Sequence, residues 1–261
     1  MYRELTKKLN CALNLKRNIV GVKFFADKNE YDSDVDLESK CKVSYCYMVN
    51  LASKGKLLKV KYENFNCLSS ARALGLAIPE ERHQNGEEYF SYGLYRSKEV
   101  AEEVQKSVLY ATRRIYGIKI KPLDEFKENC DMVIAIADPY NVMRIVQGYV
   151  FSYGPFDKMF SVANQGLCSE LTVRPYINRE INASFLCSNS RFYCKWGDDE
   201  MGVAFPEELC RGIFSGVLET VNSSETDKRK KAIIDKLKKA EISQDIVLGK
   251  NYFLDTTGKV K

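Results

Sequence analysis

Histidine is almost missing from this chain: His83 stands alone among 261 residues. One imidazole leaves little material for mixed Cys/His zinc sites or a histidine-based catalytic triad. No GxGxxG, GxxxxGK[ST] or GxSxG falls where a strand–helix junction would need it, so nucleotide-dependent and serine-hydrolase mechanisms have no motif to rest on. No CxxC pair occurs either, so no metal site can be read from short spacing. No stretch approaches the ~18 uninterrupted apolar residues of a membrane span. The opening MYRELTKKLN scatters its charges through a helical pattern without an apolar signal region, and a cytoplasmic protein is expected.

Cysteine, by contrast, is plentiful. Nine of them, at positions 11, 41, 46, 67, 130, 168, 187, 194 and 210, form an odd-numbered, widely spread set that makes a poor disulfide framework. Metal, cluster or buried thiol are the open readings. With 45% hydrophobic and 29% charged residues the chain has an ordinary globular composition, which excludes a disordered one.

The net charge of +5 is confined to the end of the chain. Residues 228–261 carry ten Lys or Arg against four Asp or Glu, a net of +6, which leaves −1 for residues 1–227. In KRKKAIIDKLKKAEI, apolar Ala232, Ile233, Ile234, Leu237 and Ala240 recur at helical spacing with lysines on the other face. A basic amphipathic helix packed on the body is expected; nucleic acid is not, because the body has no basic surplus.

Pattern reading gives an α/β or α+β chain of two similar halves. The first runs through the helix of residues 1–15, strand NIVGVKFF, an acidic surface loop at 26–40, helix VSYCYMVNLASKG, strand KLLKVKYENFN, a helix opening at Cys67, strand EEYFSYGLYR and the helix after Ser97. The second runs through strand CDMVIAIAD, helix VMRIVQGYVFSYG, strand KMFSVANQGLC ending at Cys168, strand INASFLC ending at Cys187, strand MGVAFP and a helix entered at Pro206. The shared order suggests pseudo-repeated strand–helix–strand halves around a shared cleft: residues 1–117, residues 118–227 joined through 118–130, and a basic tail at 228–261.

If equivalent loops of the halves face each other, Cys67 and Cys168 meet, and Cys46 and Cys187 lie near enough in element order to join them. Four thiolates suit zinc or an iron–sulfur cluster. The opposing reading is free cysteine as a small buried hydrophobe, which applies to Cys11, Cys130 and Cys210. Arg191, between Cys187 and Cys194, is the candidate for orienting a carboxylate or phosphate substrate, against a salt bridge to the GDDE acids at 197–200. Tyr89, Tyr92 and Tyr95 read as core and rim of a sheet.

NQGLCSELTVRPYINREINASFLCSNSRFYCKWGDDEMGVAFPEEL, with VGVKFF, Cys46 and NCLSSARALGL, resembles the domain-of-unknown-function family 169, a bacterial and archaeal group common in anaerobes. The resemblance covers nearly the whole chain and implies recurring cysteines at Cys46, Cys67, Cys168 and Cys187. The expected function is a cytoplasmic iron–sulfur protein, with a 4Fe–4S cluster (zinc as the alternative), acting in redox or sulfur chemistry on a small molecule. A redox partner and self-association are compatible with it. The competing function is a non-enzymatic small-molecule sensor with structural cysteines.

Overall fold

The computed structural model describes residues 2–253. Six strands form one sheet: β1 (Val20–Phe25), β2 (Leu58–Lys61), β3 (Gly117–Pro122), β4 (Met132–Ala137), β5 (Asn182–Ser184) and β6 (Met201–Pro206). Their order is β2-β3-β1-β4-β6-β5, with every pair antiparallel. The first three strands therefore occupy one side of the β1–β4 pair and the last three the other. The two halves of the chain share a single continuous sheet.

β3 is the strand that pattern reading passed over. GIKIKP alternates apolar and lysine residues, the period of a strand with two different faces. Residues 118–130 are expected as the joint between halves; the strand instead lies between β2 and β1, with Lys119 fully buried and Lys121 nearly so. The acidic segment expected as a surface loop explains this. Asp34 and Asp36 fold over that face, where Lys119 Nζ pairs with Asp34, with Asp36 at 3.1 Å and with Glu128 at 2.5 Å. Lys59 donates to the carbonyls of Asp34 and Asp36, and Lys121 to the Asp36 carboxylate at 3.0 Å.

The same face of the other half is covered by helices instead. Val133, Ala135, Val203 and Phe205 pack against the helices Tyr2–Ala12, Pro139–Tyr153 and Cys210–Glu219. The helix Pro139–Tyr153 begins where Asp138 caps it, accepting from Asn141 N–H, with Pro139 at the position where a missing N–H does no harm. Gly148 and Gly216 let this helix and Cys210–Glu219 touch backbone to backbone.

The opposite face of the sheet carries Val22, Ile118, Ile120 and Ile134, under a layer that includes helix Tyr45–Ser53 and the segments bearing the cysteines. Ser44 caps that helix by accepting from Tyr47 N–H. The basic helix Asp227–Lys239 packs Ile233 and Leu237 near Cys11 and Val221, as its apolar stripe indicates. Residues 254–261 of the predicted tail lie outside the described residues. No helix among the described residues is long and apolar enough to cross a membrane.

Candidate functional site

Cys46, Cys67, Cys168 and Cys187 line one cavity of about 370 Å³. Two of the expected strands do not exist, one of them the strand ending at Cys168. Residues 158–165 are irregular, and Cys168 lies in the π-helix Gly166–Val173; the segment expected as strand EEYFSYGLYR is instead the helix Glu87–Ser91 followed by a turn. The strand before Cys187 stops at Ser184, three residues early.

The result is that all four cysteines sit at helix starts. Cys46 is the second residue of Tyr45–Ser53, Cys67 is the N-cap of Leu68–Ala73, Cys168 is the third residue of the π-helix, and Cys187 is the N-cap of Ser188–Cys194. The first turn of a helix has backbone N–H groups without intrahelical partners, an environment that favours a thiolate over a thiol. A mid-chain π-helix is itself rare and is found mostly at functional sites.

Cys187 has the most complete set of donors. The Cys46 thiol, the Gly166 N–H, and the Ser190 hydroxyl and N–H all favour its ionised form, and together they outweigh burial to bring its pKa down to about 5. Cys46, whose proton is held between Cys187 and Cys194 and which is also buried, is pushed well above the usual thiol range. Cys168 is pushed up mainly by burial, and further by Cys67 and Cys187 nearby. Cys194, which sequence reading did not include among the ligands, lies 3.2 Å from Ser44 Oγ and accepts from Cys46; its pKa falls to about 7.

Backbone strain is concentrated around these residues. Ala163, Gln165 and Leu186 all have positive φ without being glycine, at 53°, 54° and 66°. Each such residue costs on the order of 1 kcal/mol or more, so the surrounding structure must hold them in place. Leu186 immediately precedes Cys187, and Ala163 and Gln165 lead into the π-helix. Gln165 Nε2 donates to Tyr89 Oη at 2.9 Å, and its Oε1 lies 3.8 Å from Cys168 Sγ.

The remaining cavity wall is uncharged, mostly apolar in surface with several neutral polar groups. Ser69, Ser70, Asn164, Ser188 and Asn189 surround the thiols, with Tyr92 and Leu94 at the margin. Behind Ser69, Arg72 donates to its hydroxyl at 3.2 Å and to Glu88 at 2.5 Å. The lone histidine, His83, is buried nearby; its Nδ1 accepts from Glu80 N–H at 2.8 Å, and burial, the larger effect, lowers its pKa.

Arg191 does not line this cavity. Its guanidinium donates to three main-chain carbonyls: Gly197, Phe185 at 2.8 Å and Glu200 at 2.9 Å. That clamp ties the helix bearing Cys187 to the 197–200 turn. The turn's own acids pair elsewhere, Asp199 with Lys16 at 3.0 Å and Glu200 with Arg17 at 2.5 Å.

Two metal chemistries can be compared with these positions. A tetrahedral zinc with Zn–S of about 2.3 Å needs its sulfurs roughly 3.8 Å apart. Among the described residues, no three cysteine sulfurs lie within 4.8 Å of one another. Three carboxylates do meet that limit, Asp34, Asp36 and Glu128, but Lys119 Nζ already stands among them as their cation. The thiol set lines the cavity without three sulfurs at the spacing a single tetrahedral ion needs.

The family model DUF169, described as uncharacterised ArCR, matches residues 8–216. The chain belongs to the DUF169 family. That match contains all four cavity cysteines. Among curated proteins, the uncharacterized protein MJ0308 of Methanocaldococcus jannaschii is 28% identical over 218 residues, covering 82% of this chain and 93% of that protein. No solved structure matches. In this DUF169 chain the residues that sequence reasoning missed are those acting through the backbone: Gly166, Leu186 and the buried Glu170. The left-handed conformation of Leu186 has no signature in its residue type, and Gly166, whose φ is not positive, is set apart by its close approach to the Leu186 backbone.

Proposed function

We propose that the protein holds an iron–sulfur cluster through Cys46, Cys67, Cys168 and Cys187 and acts in redox or sulfur chemistry on a small molecule admitted to the same cavity. One observation carries this reading: four thiols from four separate helix starts line one cavity. Thiols kept only as small hydrophobes have no reason to gather around one cavity in which hydrogen-bond donors hold Cys187 toward its ionised form. A cluster held by all four thiolates would supply one-electron transfer; the chain supplies the rest. Gly166 and Ser190 donate to Cys187 and fix its position. Ser69, Asn164, Ser188 and Asn189 offer neutral hydrogen-bonding groups to a substrate beside the thiols. The cavity lining has no Lys, Arg, Asp or Glu, which favours a small neutral molecule over a highly charged one.

Iron, zinc and acid-labile sulfide analysis after anaerobic purification tests the proposal. Iron and sulfide in near-equal amounts support it, and a colourless chain with neither sinks it. A protein that binds a small molecule but whose Cys67→Ser and Cys168→Ser variants leave metal content and ligand affinity unchanged belongs to the sensor class instead.

A further inference from the structure

We propose that Glu170 is the positioning residue of the cysteine cavity: its carboxylate ties together the three backbone segments that set where Cys168 and Cys187 stand. Glu170 is fully buried, two residues after Cys168 on the π-helix, and absent from the cavity lining. Its carboxylate accepts from Val162 N–H at 2.7 Å, from the Ser161 hydroxyl at 2.9 Å and from the Ser184 hydroxyl. Its carbonyl accepts from Asn182 Nδ2 at 2.8 Å, and Asn182 also clamps both the N–H and the carbonyl of Phe160.

Each of these partners leads to the cavity. Ser161 and Val162 precede the strained Ala163, Asn164 and Gln165, two of which have positive φ. Ser184 Oγ, whose proton goes to Glu170, accepts from Leu186 N–H at 2.9 Å and so holds the strained residue next to Cys187. Three donors converge on the carboxylate, and only a group that accepts at both oxygens satisfies them all. A buried carboxylate normally needs a cation against it. Here Arg174, one helical turn on, is the nearby guanidinium; it lies 3.5 Å over the Phe160 ring and donates to Ser107 carbonyl at 2.7 Å instead of pairing directly. A charge held mainly by hydrogen bonds is an expensive way to join loops that apolar packing could join, and its gain is direction: it fixes which way Ser184, and through it Leu186, must face.

The inference rests on the cluster reading for its metal measurement only. Glu170→Gln keeps the volume but places an amide N–H₂ against hydroxyls that now donate. Glu225→Gln is the control, because Glu225 is also a buried carboxylate, paired with Arg144 at 2.9 Å on the far side of the sheet. Two measurements are made on folded protein: iron, sulfide and the electron paramagnetic resonance spectrum after anaerobic reconstitution, and iodoacetamide alkylation of Cys168 and Cys187 in metal-free protein, read by peptide mass spectrometry. The expected result is a severalfold loss of iron or a changed spectrum, and severalfold faster alkylation, in Glu170→Gln but not in Glu225→Gln. Alkylation and iron content equal to wild type in Glu170→Gln overturn the inference, as does an equal change in Glu225→Gln. Wild-type protein without iron overturns the cluster reading alone, and the alkylation rates still decide the role of Glu170. Should Glu170→Gln not fold, Ser184→Ala removes one donor and the Leu186 anchor; it is expected to shift alkylation at Cys187 more than at Cys168, and unchanged alkylation at both sites counts against the proposal.

Discussion

Gly166 and Leu186 meet backbone to backbone: a Cβ on Gly166 would stand 2.7 Å from Leu186 Cα, closer than real side chains approach. The same Gly166 donates its N–H to Cys187 Sγ. Contact and hydrogen bond together join the two segments that carry Cys168 and Cys187.

Gly166→Ala is therefore expected to push the Leu186–Cys187 backbone away from the π-helix. Overpacking of this kind destabilises by about 2 kcal/mol. Urea denaturation reads that loss, and metal content after anaerobic purification should fall with it. A variant as stable and as metal-rich as wild type would show that the close approach has no bearing on the site.

Lys119 is the keystone of the opposite face. Lys119→Met leaves the partly buried Asp34 and Glu128 against β3 without their cation, a loss of about 2 kcal/mol, below the cost of stranding a fully buried charge. The measurement is again the urea midpoint. Because the cysteines pack on the other face of the sheet, the metal content of the protein that remains folded should not change.

The same network gives a pH dependence. Burial works against ionisation of Asp36 and Glu128, but hydrogen bonds from Lys121 and Lys119 to Asp36, and from Lys119 to Glu128, hold both carboxyls below their ordinary values. The unfolded chain then binds more protons than the folded one across the window from the ordinary carboxyl range downward. Stability from these groups is full above that range and lost as pH falls through the depressed values. Asp131 opposes this, since burial raises its carboxyl. Comparing wild type with Lys119→Met between pH 7 and 3 isolates the network: the stability difference between them should shrink as pH falls.

Arg191→Ala is predicted to act on stability. It strips the side-chain donor from the carbonyls of Phe185, Gly197 and Glu200, a loss of about 2 kcal/mol by urea denaturation. Lysine should not restore it, because a single ammonium cannot span three carbonyls as the guanidinium fork does.

Much of the fold was legible where pattern and chemistry agree. VGVKFF, MVIAIA and MGVAFP are strands by their apolar runs, and Ser44, Ser97 and Asp138 start helices because their oxygens accept from the first turn. The misreadings have a common cause in partners remote in sequence. GIKIKP falls in the expected joint between halves, and the countercharges that let its lysines be buried, Asp34 and Asp36, lie more than eighty residues away. Tyr89, Tyr92 and Tyr95 stand three apart, nearer to helical than to strand spacing, and they occupy a short helix and turn in which Tyr89 and Tyr95 stack at 5.8 Å. The cysteines were selected from element order and family resemblance; their meeting at helix starts depends on left-handed turns at Ala163, Gln165 and Leu186, which residue type does not announce.

The central claim is that the four cavity cysteines hold an iron–sulfur cluster, and the most direct measurement is iron and acid-labile sulfide per chain in anaerobically purified protein, beside the Cys46→Ser, Cys67→Ser, Cys168→Ser and Cys187→Ser variants. The account predicts a brown wild-type protein with iron and sulfide in near-equal amounts, and a severalfold loss of both in each variant. Wild-type protein free of iron and sulfide, or variants that retain both in full, would contradict it.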